Sequence, residues 1–313
     1  MTLIDTTAYP INRLLPILLK DMSTERNIIW ATNSYVSRGP GFSATDFVTC
    51  ENASIPQPRI CKAKEEQKKR TKGKAEVFTP SWLCNKMNNY ADEQWFGRKG
   101  VFNHENEDNT WTATESFVQF KNGQSWQDYV GSTRLEITCG EAPFVASRYD
   151  TTTGEMIPIS QRIGMLDRKL RIVNENTTTQ PEWLEWAERA VQSCYGYEYQ
   201  GDNLLIARVN ILLTFREYYV DRWNTEPEIK VLKRIAHIIS WNIWQMDGLK
   251  DAVPLGKPYE EFHQISLSEL FKPVNDEPKQ EAVPCKIFNW RSNKSIYFKD
   301  CKKEVNSYEP KVI

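Results

Sequence analysis

In two segments of the chain, an apolar stretch is followed by a small residue or by a carboxylate. Residues 135–144 contain Gly140, and residues 196–208 contain Glu198. Each segment is typical of a buried strand that ends in a tight turn or an acidic residue and leads into a helix. Nucleotide-like cofactors bind at such strand ends in open α/β sheets. We therefore expect Gly140 to let the backbone approach a ligand closely, and Glu198 to accept hydrogen bonds from ribose hydroxyls.

A third segment lies upstream, where residues 76–80 read Glu-Val-Phe-Thr-Pro before a helical pattern at residues 81–88. In this order, the three segments resemble the amino-methylating DNA methyltransferases, the adenine-N6 group in particular, and look most like the modification subunits of restriction systems. In that family the Glu-Val-Phe-Thr-Pro box helps to enclose S-adenosylmethionine (SAM). A glycine-containing strand end forms the cofactor loop, and a strand that ends in Gly-x-Glu carries the ribose-binding acid.

The resemblance implies an α/β chain with the Rossmann-like fold of SAM-dependent methyltransferases, in which a central, mostly parallel sheet has helices on both faces. Three positions depart from the family pattern, since Glu136 replaces the usual aspartate, Ile137 the usual proline and Ala142 the second glycine. Residues 242–249 resemble a further family segment, in which an aspartate after a strand contacts the adenine amino group of SAM. The cofactor-binding residues that the resemblance implies are Phe78, Thr79, Glu136, Thr138, Gly140, Glu198 and Asp247.

The catalytic residues are harder to find in this sequence. The family carries an Asp/Asn/Ser-Pro-Pro-Tyr/Phe box, whose first residue holds the target amino group and whose ring stacks on the flipped base. No such box occurs in the sequence. The nearest candidates are Asn289 and Trp290, an amide beside an aromatic ring, but without the two prolines. The surrounding residues 286–298 also fit a β-hairpin, and both interpretations are open.

The charge pattern suggests one local contact with nucleic acid. The whole chain has a net charge of -1, whereas residues 62–74 hold seven Lys or Arg and two Glu. Such a run fits a solvated helix face or, alternatively, a helix that contacts phosphates. On the second interpretation, Lys68, Lys69 and Arg70 would bind double-stranded DNA.

Composition bounds the remaining possibilities. Hydrophobic residues make up 40% of the 313 residues, enough for a sizeable core. Seven cysteines without paired spacing and only three histidines argue against a zinc site, and we expect no bound metal. The apolar run at residues 14–19 is too short for a membrane span or a convincing signal peptide, so we expect no membrane contact and a reduced, cytoplasmic chain.

The expected organisation is an N-terminal region (1–61), a SAM-methyltransferase-like domain (62–254, with an insertion at about 88–131), and a C-terminal linker with a β-hairpin (255–313). The expected function is a SAM-dependent adenine-N6 DNA methyltransferase of a restriction-modification or phage-defence system, with restriction or specificity subunits as further partners. One alternative is a catalytically inactive, methyltransferase-like subunit that binds SAM, DNA or a partner protein. Another is a methyltransferase that acts on RNA or protein.

Overall fold

The computed structural model describes residues 3–74, 76, 79–121, 123–256 and 282–301, which form a mixed α/β protein. The α-helices are α1 (Ile11–Leu18), α2 (Lys64–Lys74), α3 (Ser81–Phe96), α4 (Trp126–Gly131), α5 (Met165–Asn176), α6 (Gln180–Gln192), α7 (Gly201–Trp223) and α8 (Ile229–Asn242). Short 3₁₀ helices span Val36–Arg38, Arg59–Cys61 and Ile159–Gln161. The strands are β1 (Asn103–Glu105), β2 (Trp111–Ala113), β3 (Arg134–Glu136), β4 (Cys194–Glu198), β5 (Ile243–Gln245), β6 (Lys286–Asn289) and β7 (Lys294–Tyr297).

Three parallel strands form the sheet that positions the candidate site. Their order is β3-β4-β5, and Glu136 pairs with Gly196 while Glu198 pairs with Gln245. Parallel neighbours need long crossover connections, which α5 and α6 supply between β3 and β4, and α7 and α8 supply between β4 and β5. All three carboxyl ends therefore meet at one edge of the sheet, as the sequence predicts for β3 and β4.

The two faces of this sheet are covered differently. Tyr195, Tyr197 and Trp244 lie on one face, where they pack with Phe298 and Ile287 of the C-terminal hairpin β6-β7. Within the described residues, that face carries the hairpin and not the layer of helices that the sequence led us to expect. This face of the sheet carries a row of large aromatic side chains, and the apolar side of a short hairpin can cover them.

The opposite face belongs to the main core, whose centre is α7. This helix has apolar residues on all sides, so it is buried over most of its length. The first 61 residues share the same core, because Ile4, Leu14 and Trp30 belong to one buried cluster with α7 and α8. Inside that core, the Arg208 guanidinium donates to the backbone oxygens of Leu18, Lys20, Ser240 and Ile243, so it joins α1 to the end of α8.

Not every segment that the sequence suggests as a strand is one. Residues 116–120 form no strand, and residues 238–242, an apolar run that continues into β5, are the last turn of α8. The error in α8 arose because a short apolar run fits a buried strand and a buried helix equally well. The C-terminal hairpin is confirmed. In the described part of the chain, no helix is long and apolar enough to cross a membrane.

Candidate cofactor site

A hollow of about 460 Å³ opens at the carboxyl ends of β3 and β4. Its size is within the range of about 300–1,000 Å³ that is common for small-molecule sites. We call it the strand-end hollow. It is lined by five of the seven residues predicted to bind cofactor, namely Thr79, Glu136, Thr138, Gly140 and Glu198. Of the other two, Phe78 lies outside the described residues.

Glu198 and Gly140 are in direct contact at the rim of β4. The Gly140 amide donates to Oε2 of Glu198 at 2.9 Å, and the Gln200 amide donates to Oε1 at 3.1 Å. The Cys139 amide donates to the Tyr197 carbonyl at 2.8 Å, which fixes the bend against the strand. A carboxylate has about four acceptor positions, so Glu198 can still accept hydrogen bonds from a ligand.

The bend itself holds an unusual backbone. Thr138, Gly140 and Ala142 all have positive φ, at 46°, 54° and 62°. For a β-branched residue such as Thr138 this conformation costs on the order of 1–3 kcal/mol, and it persists only where the surroundings enforce it. Glu136 supplies part of that enforcement, since its carboxylate accepts hydrogen bonds from the amides of Val145 at 3.1 Å and Phe144 at 3.4 Å. Such strain is concentrated at binding sites in proteins.

Two buried carboxyls face this hollow with raised pKa values. Burial raises the pKa of Glu198 to about 7, against the lowering effect of hydrogen bonds from Gln200 and Gly140. Burial also raises the pKa of Glu136 well above its usual value, against hydrogen bonds from Phe144 and Val145. Neither carboxylate forms an ion pair within the described residues. A ligand that carries positive charge or several hydrogen-bond donors would favour their ionised forms.

We expect the Glu198 carboxyl to make the free protein less stable as the pH rises. Its pKa moves from the ordinary value of 4.5 to about 7 on folding. The folded state therefore holds the proton more tightly, and about 3 kcal/mol of stability present below pH 4.5 is lost as the pH rises through 7. Glu198→Gln should flatten this decline in urea unfolding measured between pH 5 and pH 8. Glu107→Gln, at an exposed carboxyl, should keep the wild-type slope, and an unchanged slope in Glu198→Gln would contradict the assignment.

The hollow also contains acceptors without donors. Oε1 of Glu76 and Oε1 of Gln200 are buried and have no hydrogen-bond partner in the described part of the chain. The other Glu76 oxygen accepts from Arg70 at 2.6 Å and from Asn203 at 3.3 Å. The sequence did not single out Glu76 or Gln200, although Glu76 begins the Glu-Val-Phe-Thr-Pro box. Buried acceptors that line a hollow are free to accept hydrogen bonds from a ligand or from water.

Arg70 does not lie on the surface with Lys68 and Lys69, which corrects its assignment to DNA. Its guanidinium donates to Asp202 at 2.7 Å and its side chain is 2% exposed. Lys62 also pairs with Asp202, at 3.1 Å. Burial alone would raise the pKa of Asp202, but Lys62 and Arg70 outweigh it and hold that pKa well below its usual value. Lys68 and Lys69 are exposed on α2.

Asp247 follows β5, but it does not line the strand-end hollow. Its carboxylate accepts from the Leu249 amide at 3.0 Å and lies 3.6 Å from the Lys250 ammonium. Its backbone amide donates to Ala252 at 2.8 Å. These bonds fold the chain into a local turn, and the Asp247 side chain does not line the hollow that Glu198 lines.

Asn289 and Trp290 do not line the strand-end hollow, and we correct their assignment as catalytic residues. The Asn289 Oδ1 atom accepts from the amides of Arg291 and Ser292, both at 3.1 Å, which closes the hairpin turn. The Trp290 ring nitrogen donates at 2.7 Å to Asn242, the residue before β5. Both residues therefore lie towards the amino ends of the strands, whereas the strand-end hollow lies at the carboxyl ends.

The arrangement at the carboxyl ends can hold a diol on Glu198, approach a ligand with the backbone of the bend, and accept donors at Glu76 and Gln200. Within the described residues, no group of three or more His, Cys, Asp or Glu could hold a metal ion. The resemblance to amino-methylating enzymes rests on the three sequence segments. No protein-family model, curated protein or solved structure matches this chain.

Proposed function

We propose that the protein binds SAM in the strand-end hollow and acts as a SAM-dependent methyltransferase on the N6 amino group of adenine in DNA. The observation that carries the proposal is the 2.9 Å contact between the Gly140 amide and the Glu198 carboxylate, at the rim of a hollow of about 460 Å³. This pairing sets a ribose acceptor beside a backbone that can approach a ligand. The α/β fold with a parallel sheet is compatible with the fold that the resemblance implies.

The carboxyl groups of the hollow favour SAM over a neutral nucleoside, because a cationic ligand would stabilise their ionised forms. SAM carries a positive sulfonium and an ammonium group, and the hollow is lined by the carboxyl groups of Glu76, Glu136 and Glu198. The unpaired oxygens of Glu76 and Gln200 would accept the amino or ammonium protons of the ligand. We infer that SAM binds more tightly than S-adenosylhomocysteine, whose thioether is neutral.

A second candidate function has a specific observation in its favour. Asn289 and Trp290 lie towards the amino ends of the strands, so neither would reach an acceptor base at the strand-end hollow. The chain could therefore bind SAM as a non-catalytic subunit, with the base-holding residues supplied by another polypeptide. The adenine acceptor itself rests on the family resemblance, and the exposed Lys68 and Lys69 offer phosphate contacts to DNA.

One pair of measurements separates these functions. Calorimetry with SAM should show binding that is at least about 10-fold tighter than with S-adenosylhomocysteine, because of the charge difference. Double-stranded DNA incubated with protein and methyl-labelled SAM should then become labelled on adenine. SAM binding without label transfer would favour the non-catalytic subunit. Absence of SAM binding to the folded protein would contradict both candidates.

A further inference from the structure

A second hollow, of about 440 Å³, lies between the sheet and the C-terminal hairpin. We call it the aromatic pocket, because its walls include Tyr195, Trp244, Phe288, Trp290 and Phe298. It shares no lining residue with the strand-end hollow and opens towards the amino ends of the strands. The proposal for SAM leaves this pocket without a role.

The walls of the aromatic pocket are fixed by hydrogen bonds. The Tyr195 hydroxyl donates to the Phe288 carbonyl at 3.0 Å, and the Trp290 ring nitrogen donates to Asn242 at 2.7 Å. The Phe288 and Trp290 rings lie 4.5 Å apart between centroids. Because the polar ends of Tyr195 and Trp290 are already bonded, the two rings are held in fixed positions in the pocket wall.

Two arginines converge at the edge of this pocket. Both guanidinium groups lie close to Gly131. A Cβ atom added to this glycine would be 3.7 Å from Nε of Arg189 and 3.9 Å from Nη2 of Arg291. Among the described residues, neither guanidinium forms an ion pair with a carboxylate. Instead, Arg189 donates to the Gln192 side chain at 3.3 Å, and Arg291 donates to the Gly131 carbonyl at 3.1 Å.

The convergence of two cations is unfavourable without an anion. Partial burial and the nearby Arg291 lower the pKa of Arg189, which is the direction expected for a cation close to another cation. Guanidinium pairs bind phosphate through paired hydrogen bonds.

We propose that the aromatic pocket binds a nucleotide, with its base against the aromatic walls and its phosphate between Arg189 and Arg291. A simple inorganic anion would satisfy the arginines and leave the apolar walls without a partner. A base stacked on an aromatic side chain contributes about 1–3 kcal/mol. The nucleotide is either free or part of a nucleic-acid strand, since both present the same base and phosphate. This proposal does not depend on SAM binding.

The experiment titrates the full-length protein with adenosine monophosphate, adenosine, inorganic phosphate and a short single-stranded oligonucleotide, using calorimetry. We expect adenosine monophosphate or the oligonucleotide to bind at least about 10-fold more tightly than either adenosine or phosphate. Binding of the mononucleotide identifies a free ligand, whereas binding of the oligonucleotide alone identifies a nucleic-acid strand. Equal binding of phosphate and the mononucleotide would overturn the role of the aromatic walls, and no binding of either nucleotide form would overturn the whole proposal.

Variants test the assigned residues. Arg189→Gln and Arg291→Gln should each weaken nucleotide binding at least about 10-fold, because each removes a charged contact with the phosphate. Trp290→Leu should weaken it through lost stacking, and thermal unfolding should verify that this variant is folded. Arg13→Gln, at an exposed position on α1, is the matched control and should bind like the wild type. Wild-type nucleotide affinity in both arginine variants would contradict the proposal, whether or not SAM binds.

Discussion

Glu198→Ala should weaken SAM binding by at least about 100-fold. In the proposed complex, the Glu198 carboxylate accepts two hydrogen bonds from the ribose diol, and each such bond to a charged group is worth about 1.5–3 kcal/mol. A loss of about 3 kcal/mol corresponds to more than a 100-fold change in affinity. The variant also removes the contact from the Gly140 amide at 2.9 Å, which holds the bend beside the ligand.

Calorimetry with SAM measures this effect, and thermal unfolding must first verify that the variant is folded. Glu198→Gln provides a second test, because it keeps the shape of the side chain and removes its charge. Glu141→Gln is the matched control. Glu141 is buried and its pKa is also raised to about 7 by burial, but its carboxylate accepts from Tyr149 and Arg59 and does not line the strand-end hollow. Unchanged SAM affinity in a folded Glu198→Ala variant would remove the basis of the proposed site.

Gly201→Ala should destabilise the protein by about 3 kcal/mol or more. A Cβ atom at position 201 would lie 2.0 Å from the backbone oxygen of Ile29, far inside van der Waals contact. That oxygen cannot move away easily, because it accepts from the Gln245 side chain at 2.8 Å. The Gly201 amide also donates to the Trp30 carbonyl at 3.0 Å, so residues 29–30 are held close to the start of α7. Overpacking of a fixed interior typically costs about 1–3 kcal/mol, and a clash between a methyl group and backbone is at the upper end.

Urea unfolding at constant pH measures this loss of stability. Gly131→Ala is the matched control, since its Cβ would meet its nearest atom at 3.7 Å, an ordinary contact, and Gly131 has no positive φ. Gly201→Ala should also weaken ligand binding, because Gly201 begins α7 directly after the strand that carries Glu198. A Gly201→Ala variant with stability within about 1 kcal/mol of the wild type would contradict the close approach of Ile29.

Several features of the site were predictable from local sequence. The apolar pattern of residues 196–208 predicted the strand that ends in Glu198 and the helix that follows it, and the structure shows these as β4 and α7. In an open α/β sheet the carboxyl ends of parallel strands lie at one edge, so the sequence predicted that Gly140 and Glu198 would lie close together. The structure agrees, since the Gly140 amide donates to Glu198 at 2.9 Å. The sequence also identified the Glu-Val-Phe-Thr-Pro segment, from which Glu76 and Thr79 reach the same hollow.

By itself, the sequence located the ends of β3 and β4, and therefore placed Glu136 and Glu198 at the strand-end hollow. Only the tertiary structure decided the partners of charged and polar side chains that are distant in the chain. Arg70 is 132 residues from Asp202, and their pairing turns one residue of an apparently solvated basic run into a buried ion pair. Likewise, Trp290 bonds to Asn242, 48 residues away, which sets the hairpin towards the amino ends of the strands. Local periodicity reports which face of an element is buried, whereas the choice of a distant partner depends on packing and on the need to compensate buried charge, and no short stretch of sequence encodes these.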